Sequence, residues 1–356
     1  MKPPADGAVT RFAEHFADAI LVVSFGGPEG PDDVMPFLEN VTRGRNVPRA
    51  RLEEVAHHYM RFGGVSPINA QNRELVAALE RELTEHGIDL PVYFGNRNWH
   101  PLLPDTVAQM TRDGVRRALC YLTSAFSSYS GCRQYRENLF VAQQEVGPDA
   151  PELPRLRMLF NHPGFVEANA DRLRAALAES AGEPHVAFTA HSIPLAMAER
   201  CAYEAQLAEA ARLVADSSGA RHHSVVYQSR SGPPHVPWLE PDVLDHLRHL
   251  HASGVENVVV APLGFLSDHV EVLYDLDVEA ARLAAELGLG FVRARTPGTH
   301  PRFVGAIREL IQERLDPAAS RPTLGRLPAN PDTCVPDCCR PGTGRPSPWE
   351  EAVAAA

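Results

Sequence analysis

The 356-residue chain has almost no lysine, no excess of positive charge and no long apolar run. Lys2 is the only lysine, and every other basic residue is arginine or histidine. The formal net charge of −11 argues against nucleic acid or anionic lipid as a partner, since both attract basic surfaces. No apolar stretch approaches the roughly 20 residues that cross a bilayer, and Met1–Asp18 lacks the apolar core of a targeting signal. We therefore expect a cytoplasmic protein without stable membrane insertion.

Cysteine is too sparse for a disulfide framework. The chain has six cysteines, and three of them, Cys334, Cys338 and Cys339, crowd into the C-terminal tail. In a chain of this length the crowding indicates metal or iron–sulfur ligation. From Asp316 onward proline and glycine dominate, so we expect this tail to become ordered only through its cysteines or by docking on the body.

Short apolar runs alternate with amphipathic segments before that tail. Continuous apolar runs are typical of strands buried on both faces, and their alternation with helices predicts parallel sheets. About four strands in each half predict an α/β protein with two similar Rossmann-like domains, each a roughly four-stranded parallel sheet flanked by helices. The predicted strands are 19–25, 91–94, 118–122, 158–160, 186–189, 225–227, 258–260 and 290–292, and the clearest helices are 72–86, 166–177, 205–214 and 243–250.

These patterns also predict the domain boundaries. A short N-terminal segment, 1–17, precedes a first domain, 18–160, and a second domain, 161–300. Helix 301–315 is expected to rejoin the first domain, and the tail, 316–356, to supply iron–sulfur ligands. Open α/β sheets place their chemistry beyond the carboxyl ends of their strands, so a cleft between the domains is the expected site.

Two stretches carry the residues best suited to chemistry. In Thr189–Pro194 a buried strand ends at a proline, which places His191 at the carboxyl edge of a sheet. Ser267–Glu271 opens a helix with His269 and Glu271 two residues apart. A neutral imidazole facing a carboxylate can accept protons and can hold a divalent metal briefly. The pairing suits an enzyme that moves a metal into a molecule that must first lose protons.

An acidic row continues from this helix start. Glu271, Asp275 and Glu279 recur at intervals of four residues, which places them on one helix face. The row either passes a cation or protons to and from Glu271, or is a solvated helix face. His269 either orients the site or is a buried histidine without a catalytic role.

Loops at other strand ends could line a site for a flat, acidic ligand. Phe25 precedes the glycine pair 26–27, where its ring faces either the cleft or the core. The second glycine pair, 63–64, either lies against a flat ligand or makes an ordinary turn. The stretch 228–239 combines an arginine, serines and Trp238, which suits carboxylates and a large π-face; its alternative is a rigid surface loop. The dinucleotide fingerprint G-x-G-x-x-G is not found at the first pair, so a nicotinamide or flavin cofactor is not supported.

With these motifs the chain resembles the ferrochelatases, which insert Fe²⁺ into a porphyrin, over roughly residues 19–315. The resemblance implies that His191 is the active-site histidine and that Glu271 faces it. Both would hold the substrate Fe²⁺, with Asp275 and Glu279 in the acidic row. The matching stretches are Ser24–Pro28, Phe62–Pro67, Thr189–Pro194, Gln228–Pro234 with Pro237–Leu239, and Gly264–Tyr274.

The resemblance also implies the walls of a porphyrin site. Some bacterial members have a metal-contacting tyrosine at the position of Phe25, and phenylalanine cannot ligate, so that contact is lost here. The chain looks closest to the actinobacterial type, which is associated with coproporphyrin III, a tetracarboxylate. We therefore expect this substrate, with Fe-coproporphyrin III as the product in haem biosynthesis. The expected porphyrin contacts are Phe25, Thr42, Arg43, Ser66, Tyr135, Ser192, Trp238 and His269, with Arg45 and Arg61 as further propionate candidates.

Some ferrochelatases also carry a [2Fe–2S] cluster held by one internal cysteine and three cysteines of a C-terminal extension. The three tail cysteines match that extension, and Cys132 best matches the internal ligand, with Cys201 as its rival. Cys120 falls within a predicted strand and is expected in the core. The alternative is a disordered tail with reactive thiols.

Several functions remain open from the sequence. The alternatives are a protoporphyrin IX ferrochelatase giving protohaem, a sirohydrochlorin chelatase, a non-catalytic porphyrin or haem carrier, and an iron–sulfur sensor. Single-domain relatives that act on sirohydrochlorin are much shorter than this chain. The expected partners are the porphyrin, Fe²⁺ and the downstream enzyme of the haem pathway, with the chain itself a monomer or weak dimer.

Overall fold

The computed structural model describes residues 16–233, 235–342 and 346–350. Most of the predicted N-terminal segment and parts of the predicted tail, 343–345 and 351–356, lie outside these residues, as does Pro234. We call residues 16–160 the first half of the chain and residues 161–315 the second half. The strands are β1 (Ala19–Ser24), β2 (Val92–Asn96), β3 (Ala118–Leu122), β4 (His185–His191), β5 (His223–Gln228), β6 (Asn257–Ala261) and β7 (Gly290–Arg293).

These strands form two parallel sheets, one in each half of the chain. The strand order is β2-β1-β3 in the first sheet and β5-β4-β6-β7 in the second. All neighbouring strands are parallel. The predicted α/β fold, with two parallel sheets flanked by helices, is confirmed.

The first sheet has three strands instead of the four that were predicted, because residues 158–160 do not form a strand. The chain runs beside β3 a few residues earlier, through isolated bridges at Glu152 and Arg155. Cys120 N–H donates to the Pro154 carbonyl at 2.8 Å. Proline has no N–H to return to the ladder, so the pairing is interrupted and does not grow into a strand.

Helices cover the sheets, and all four of the clearest helix predictions are confirmed. Each helix in the structure is longer than the one predicted. A 3₁₀ turn at Pro31–Asp33 and π-helical segments at Tyr129–Arg133 and Leu273–Ala280 lie among these helices, and residues 348–350 are helical as well. The helices are α1 (Val34–Val41), α2 (Arg49–Met60), α3 (Ile68–Glu85), α4 (Leu103–Arg112), α5 (Gln134–Val146), α6 (Pro163–Glu179), α7 (Leu195–Ala198), α8 (Tyr203–Ser218), α9 (Val243–Ala252), α10 (Val270–Val272), α11 (Ala281–Leu287) and α12 (Pro301–Leu315).

The largest hydrophobic core is shared by both halves. Ile20 and Val22 of β1 belong to the same cluster of buried side chains as Val186 and Phe188 of β4. Helix α12 packs against α3 of the first half and against α6 of the second. The division into domains 18–160 and 161–300 stays a prediction. No helix in the described ranges is long and apolar enough to span a membrane.

The tail docks on the body through polar contacts. Asn161 Nδ2 donates to the Leu327 carbonyl at 2.8 Å, and Leu324 N–H donates to the Asn161 carbonyl at 2.9 Å. Glu209 Oε1 accepts from Arg326 N–H at 2.5 Å. Body side chains thus satisfy tail backbone groups that have no regular secondary structure of their own. Docking is therefore one route by which this segment becomes ordered.

Candidate active site

His191 is the last residue of β4, at the carboxyl edge of the second sheet. The strand register pairs it with Gln228 of β5, and Ser192 N–H donates to the Gln228 carbonyl at 2.8 Å. The Tyr203 hydroxyl donates to the His191 carbonyl at 3.0 Å. These bonds fix the backbone on either side of the imidazole.

Glu271 faces this imidazole from the first turn of α10. His191 Nε2 and Glu271 Oε2 are 3.5 Å apart, and the side chains are 36% and 46% exposed, so both reach solvent. His191 Nδ1 donates to the Ser192 carbonyl at 2.5 Å. A carbonyl can only accept, so the bond places the proton on Nδ1 and leaves Nε2 for Glu271 or for a ligand. The two residues predicted to face each other do so.

Opposite pKa shifts distinguish the two groups. Burial lowers the pKa of His191, but the hydrogen bond and the charge of Glu271 outweigh it, so the pKa is raised above its usual value. Burial raises the pKa of Glu271, while the hydrogen bond and charge of His191 and the charges of His269 and His58 lower it to about 2. The pair therefore favours a carboxylate beside an imidazole that readily takes a proton.

The acidic row continues along the π-helical segment Leu273–Ala280. The Ser229 hydroxyl donates to Asp275 Oδ2. Burial raises the pKa of Asp275, the Ser229 bond opposes the rise, and the charges of Glu271 and Glu279 add to it, so that the pKa is about 7. Glu271 and Glu279 thus both lie close enough to Asp275 for their charges to act on it, as the four-residue spacing predicted.

The outer end of the row opens into a cavity of about 460 Å³. The Tyr274 ring in its wall stacks on His58 of α2, with centroids 3.7 Å apart and planes 8° apart. This stack joins the second half of the chain to the first beside the row. The cavity is lined by Arg61, Tyr274, Asp277, Val278, Glu279 and Arg282.

The loop that carries Glu271 also contacts the first half of the chain. Gln71 Oε1 of α3 accepts from Asp268 N–H at 2.8 Å. Val270 packs in one hydrophobic cluster with Tyr59 of α2. The reactive pair therefore lies where the two halves meet, as expected for a cleft between them.

Aromatic rings and an arginine occupy the carboxyl edge of the first sheet. Phe25, directly after β1, is half-buried, and its ring centroid lies 6.2 Å from that of Phe37. The Arg97 guanidinium, directly after β2, lies 4.4 Å from the centre of the Tyr135 ring and 5.6 Å from that of Phe25. Its Nε donates to Asn138 Oδ1 at 2.7 Å, and no carboxylate pairs with it among the described residues. The sequence analysis missed Arg97, because its position beside the end of β1 depends on the pairing of β2 with β1.

The two glycine pairs pack against each other's loops. Ser66 N–H donates to the Pro28 carbonyl at 2.8 Å, and Ser66 is buried. A Cβ at Gly27 would lie 2.7 Å from the Ser66 Cβ. Gly64 has φ +77°, and a Cβ there would collide with the backbone of Pro31. Close backbone approach therefore explains both of these glycines without a ligand.

Two other predicted porphyrin contacts have structural partners. The Thr42 hydroxyl at the end of α1 donates to the Leu38 carbonyl at 2.7 Å, and Arg43 is exposed just beyond it. Ser192 is buried and its hydroxyl donates to the Leu239 carbonyl at 2.8 Å. Ser192 thus supports the loop that holds His191, and its contact with a porphyrin stays a prediction.

Trp238 and His269 lie beside the loops that carry His191 and Glu271. Trp238 forms an antiparallel bridge with Pro194, three residues after His191. The His269 ring lies in edge contact with Phe265 at 5.1 Å, and burial lowers the pKa of His269. Both positions are consistent with a role in the cleft, and their contact with a porphyrin also stays a prediction.

The tail cysteines lie against Cys132. Side-chain contacts join Cys132 to Cys334, Cys334 to Cys338, and Cys338 to Cys339, whose sulfur atoms are 3.5 Å apart. Cys201 instead donates to a carbonyl of its own turn at 3.5 Å. Within the described ranges, no three or more His, Cys, Asp or Glu side chains surround a single metal position. The thiols thus form a row of pairwise contacts.

Solved structures of low identity share the fold. The sirohydrochlorin chelatase SirB from Bacillus subtilis subspecies spizizenii, in complex with cobalt, is 13% identical with a TM-score of 0.50, covering 83% of this chain and 94% of that chain. DR2241 from Deinococcus radiodurans, described as structurally similar to chelatases, is 15% identical with a TM-score of 0.51, covering 86% and 56%. At such identities the likeness shows the fold alone.

Sequence relatives are much closer. A ferrochelatase of Rhodopirellula baltica is 57% identical over 326 residues, covering 90% of this chain and 93% of that protein. The coproporphyrin III ferrochelatases of Nocardia farcinica and Streptomyces coelicolor are 57% and 52% identical, covering 91% and 93% of this chain and 97% and 95% of those proteins. The family model described as Ferrochelatase matches residues 17–315. With His191 and Glu271 facing each other at the meeting point of the two halves, this chain belongs to the ferrochelatase family.

Proposed function

We propose that this enzyme inserts Fe²⁺ into coproporphyrin III and so forms Fe-coproporphyrin III in haem biosynthesis. The His191–Glu271 pair, 3.5 Å apart and open to solvent, carries the proposal of metal insertion. The choice of porphyrin is supported by the names of the relatives from Nocardia and Streptomyces. It is also supported by Arg97, which has no carboxylate partner in the part of the chain that the structure describes, and whose pKa is lowered by burial and also by the charge of Arg45. Two such cations suit a substrate with four carboxylates.

The pair divides the chemistry of insertion. Fe²⁺ replaces two pyrrole protons, so the enzyme must accept two protons and deliver one divalent cation per porphyrin. We assign proton acceptance to His191 Nε2, because Nδ1 is already held by the Ser192 carbonyl and the pKa of the imidazole is raised. Glu271, which stays ionised to a low pH, would hold Fe²⁺ and help it release its waters. His191 can serve as the second iron ligand once it is neutral.

The acidic row supplies a path away from this pair. Asp275, with a pKa of about 7, can gain and lose a proton near neutrality, and Glu279 lines the cavity beyond it. Protons released from the porphyrin would leave along Asp275 and Glu279, or Fe²⁺ would enter by the same carboxylates. Distortion of the macrocycle, which exposes the nitrogen lone pairs, would draw about 1–5 kcal/mol from contacts remote from the metal.

We also propose that Cys132, Cys334, Cys338 and Cys339 hold a [2Fe–2S] cluster. Each iron of such a cluster takes two thiolates, so the cluster needs two pairs of sulfur atoms and no single shell of four. The row of pairwise contacts fits that requirement, and the 3.5 Å between the Cys338 and Cys339 sulfur atoms is close to the spacing of two thiolates on one tetrahedral metal. Cys132, which contacts Cys334, fits the internal ligand better than Cys201 does. When bound, the cluster can exchange one electron, and it would pin the tail to the body.

The test is an anaerobic assay of iron insertion, followed by the loss of porphyrin fluorescence. The same enzyme and Fe²⁺ are offered coproporphyrin III and protoporphyrin IX, and kcat/KM is compared. We expect a clear preference for coproporphyrin III. Equal or higher kcat/KM on protoporphyrin IX would overturn the substrate proposal. Porphyrin binding without insertion of iron into either porphyrin would favour a carrier.

The setting of the reaction is part of the proposal. We expect insertion to occur in the cytoplasm, in a monomer or weak dimer, with transfer of the product to the downstream enzyme of the pathway. The docked tail and the facing reactive pair do not favour an iron–sulfur sensor that has lost its chelatase chemistry.

A further inference from the structure

Arg155 is a buried arginine beside the thiols. Its exposed fraction is 6%, and it lies in the segment that runs along β3. Two other buried arginines have carboxylate partners, since Arg157 pairs with Glu313 at 2.7 Å and Arg133 pairs with Glu137 at 3.0 Å. Within residues 16–233, 235–342 and 346–350, no carboxylate forms an ion pair with Arg155. A buried charge without an opposite charge costs several kcal/mol, so an anion of another kind is expected beside it.

The hydrogen bonds of Arg155 identify that anion. Nη2 donates to Cys334 Sγ at 2.5 Å and to the Pro331 carbonyl at 3.2 Å. The positive charge of Arg155 also reaches Cys132 and Cys339. The guanidinium therefore donates to both the tail backbone and a thiol. The cysteine sulfur atoms are the nearest groups that can carry a negative charge.

We propose that Arg155 is the counter-charge and the hydrogen-bond donor of the Cys334 thiolate when that sulfur holds the [2Fe–2S] cluster. The inference rests on the cluster proposed above and makes Arg155 a positioning residue for it. The reduced cluster carries one more negative charge than the oxidised cluster. A cation and an N–H donor at a ligand sulfur stabilise the more negative form, so Arg155 raises the reduction potential. The bonds to Cys334 and to the Pro331 carbonyl also hold this part of the tail against the body, which slows loss of the cluster.

Arg321 offers a matched control. It lies in the tail, where its Nη1 is 2.6 Å from Asp332 Oδ2 and its Nε is 3.8 Å from Glu313 Oε2 of α12, and its side chain is 38% exposed. No hydrogen bond in the described residues joins Arg321 to a thiol. Removing Arg321 therefore loosens the tail without changing the charge at the sulfur atoms.

The experiment uses the full chain, purified anaerobically, as parent, Arg155→Lys, Arg155→Met and Arg321→Met. Visible absorption and electron paramagnetic resonance report the cluster during a redox titration, and bleaching in the presence of an iron chelator reports its loss. We expect Arg155→Met to have a more negative potential and to bleach several-fold faster than the parent. Arg155→Lys keeps the charge but loses the planar guanidinium, so its potential and bleaching rate should lie between those of the parent and Arg155→Met. Arg321→Met should match the parent.

The outcomes separate this inference from the function proposed for the enzyme. If Arg155→Met keeps the parent's potential and bleaching rate, the role of Arg155 is wrong while the cluster stands. If Arg155→Met retains no cluster, the potential of Arg155→Lys decides, and an unchanged value overturns the inference. A parent without iron and sulfide after reconstitution overturns both the cluster and the role of Arg155. Iron insertion, assayed in parallel, tests the chelatase proposal independently of all these results.

Discussion

The carboxyl edges of the two sheets meet the cleft with different kinds of side chain. The second sheet places His191 and Glu271 there, whose pKa values move in opposite directions. The first sheet places Phe25 and Arg97 there, an aromatic ring and a permanent positive charge. His191 on one edge is a group that takes up a proton, whereas Phe25 and Arg97 on the other edge keep one charge state. We therefore expect the first edge to hold the substrate and the second edge to change its protonation.

The largest effect expected from this comparison is at His191. Without its imidazole the second edge loses its proton acceptor, so His191→Ala should lower kcat for iron insertion by about 10²- to 10⁴-fold. The first edge is untouched, so porphyrin affinity, measured by fluorescence quenching, should change little. His222→Ala is the control, because His222 is an exposed histidine of the same half. If His191→Ala also loses porphyrin affinity, binding and proton acceptance are not separated between the two edges.

The next largest effect is expected at Arg97, on the opposite edge. A charge-assisted bond to a propionate is worth about 1.5–3 kcal/mol, so Arg97→Met should weaken coproporphyrin III binding roughly ten- to a hundredfold. The main change should appear in KM and Kd. Arg97→Lys keeps the charge without the planar fork and should lie between the parent and Arg97→Met. A fall in kcat at unchanged KM would instead place Arg97 in the chemistry.

The two edges also differ in how well the sequence could predict them. His191 and Glu271 were found because each belongs to a local motif, a strand stopped by proline and a helix start with paired polar residues. The role of Arg97 depends on β2 lying beside β1, a pairing that no local pattern contains. The π-helical form of Leu273–Ala280 has no residue signature either, since it differs from an α-helix only in hydrogen-bond register.

The missing strand and the docked tail also depend on contacts between distant residues, which local sequence patterns do not contain. The apolar run 158–160 had the composition of a strand, but Pro154 had already interrupted the ladder beside β3. The tail looked unable to order itself because its partners, such as Asn161, lie far away in the chain. Local composition predicts which elements form, while contacts between distant residues decide which of them pair and dock.

A smaller effect, in the pH dependence of turnover, is expected at Ser229. Its hydroxyl bond opposes the rise in the pKa of Asp275, which is about 7. Ser229→Ala should raise that pKa further, so that more of Asp275 is protonated at neutral pH. The acid limb of the kcat profile should therefore move to higher pH, with the plateau at alkaline pH unchanged. A profile that coincides with the parent's at every pH would mean that Asp275 takes no part in turnover.

The smallest effect is expected at Gln71, which ties the two edges together. Gln71→Ala removes the acceptor of Asp268 N–H, a bond worth about 1 kcal/mol, so kcat/KM should fall only a few-fold. The reason is geometric, because the loop that carries Glu271 would be held less firmly against α3. Glu74→Ala, at an exposed position on the same helix, is the matched control and should match the parent. If Gln71→Ala weakens porphyrin binding but leaves kcat intact, the contact supports substrate binding. The loop at Asp268 would then belong with the residues of the first edge.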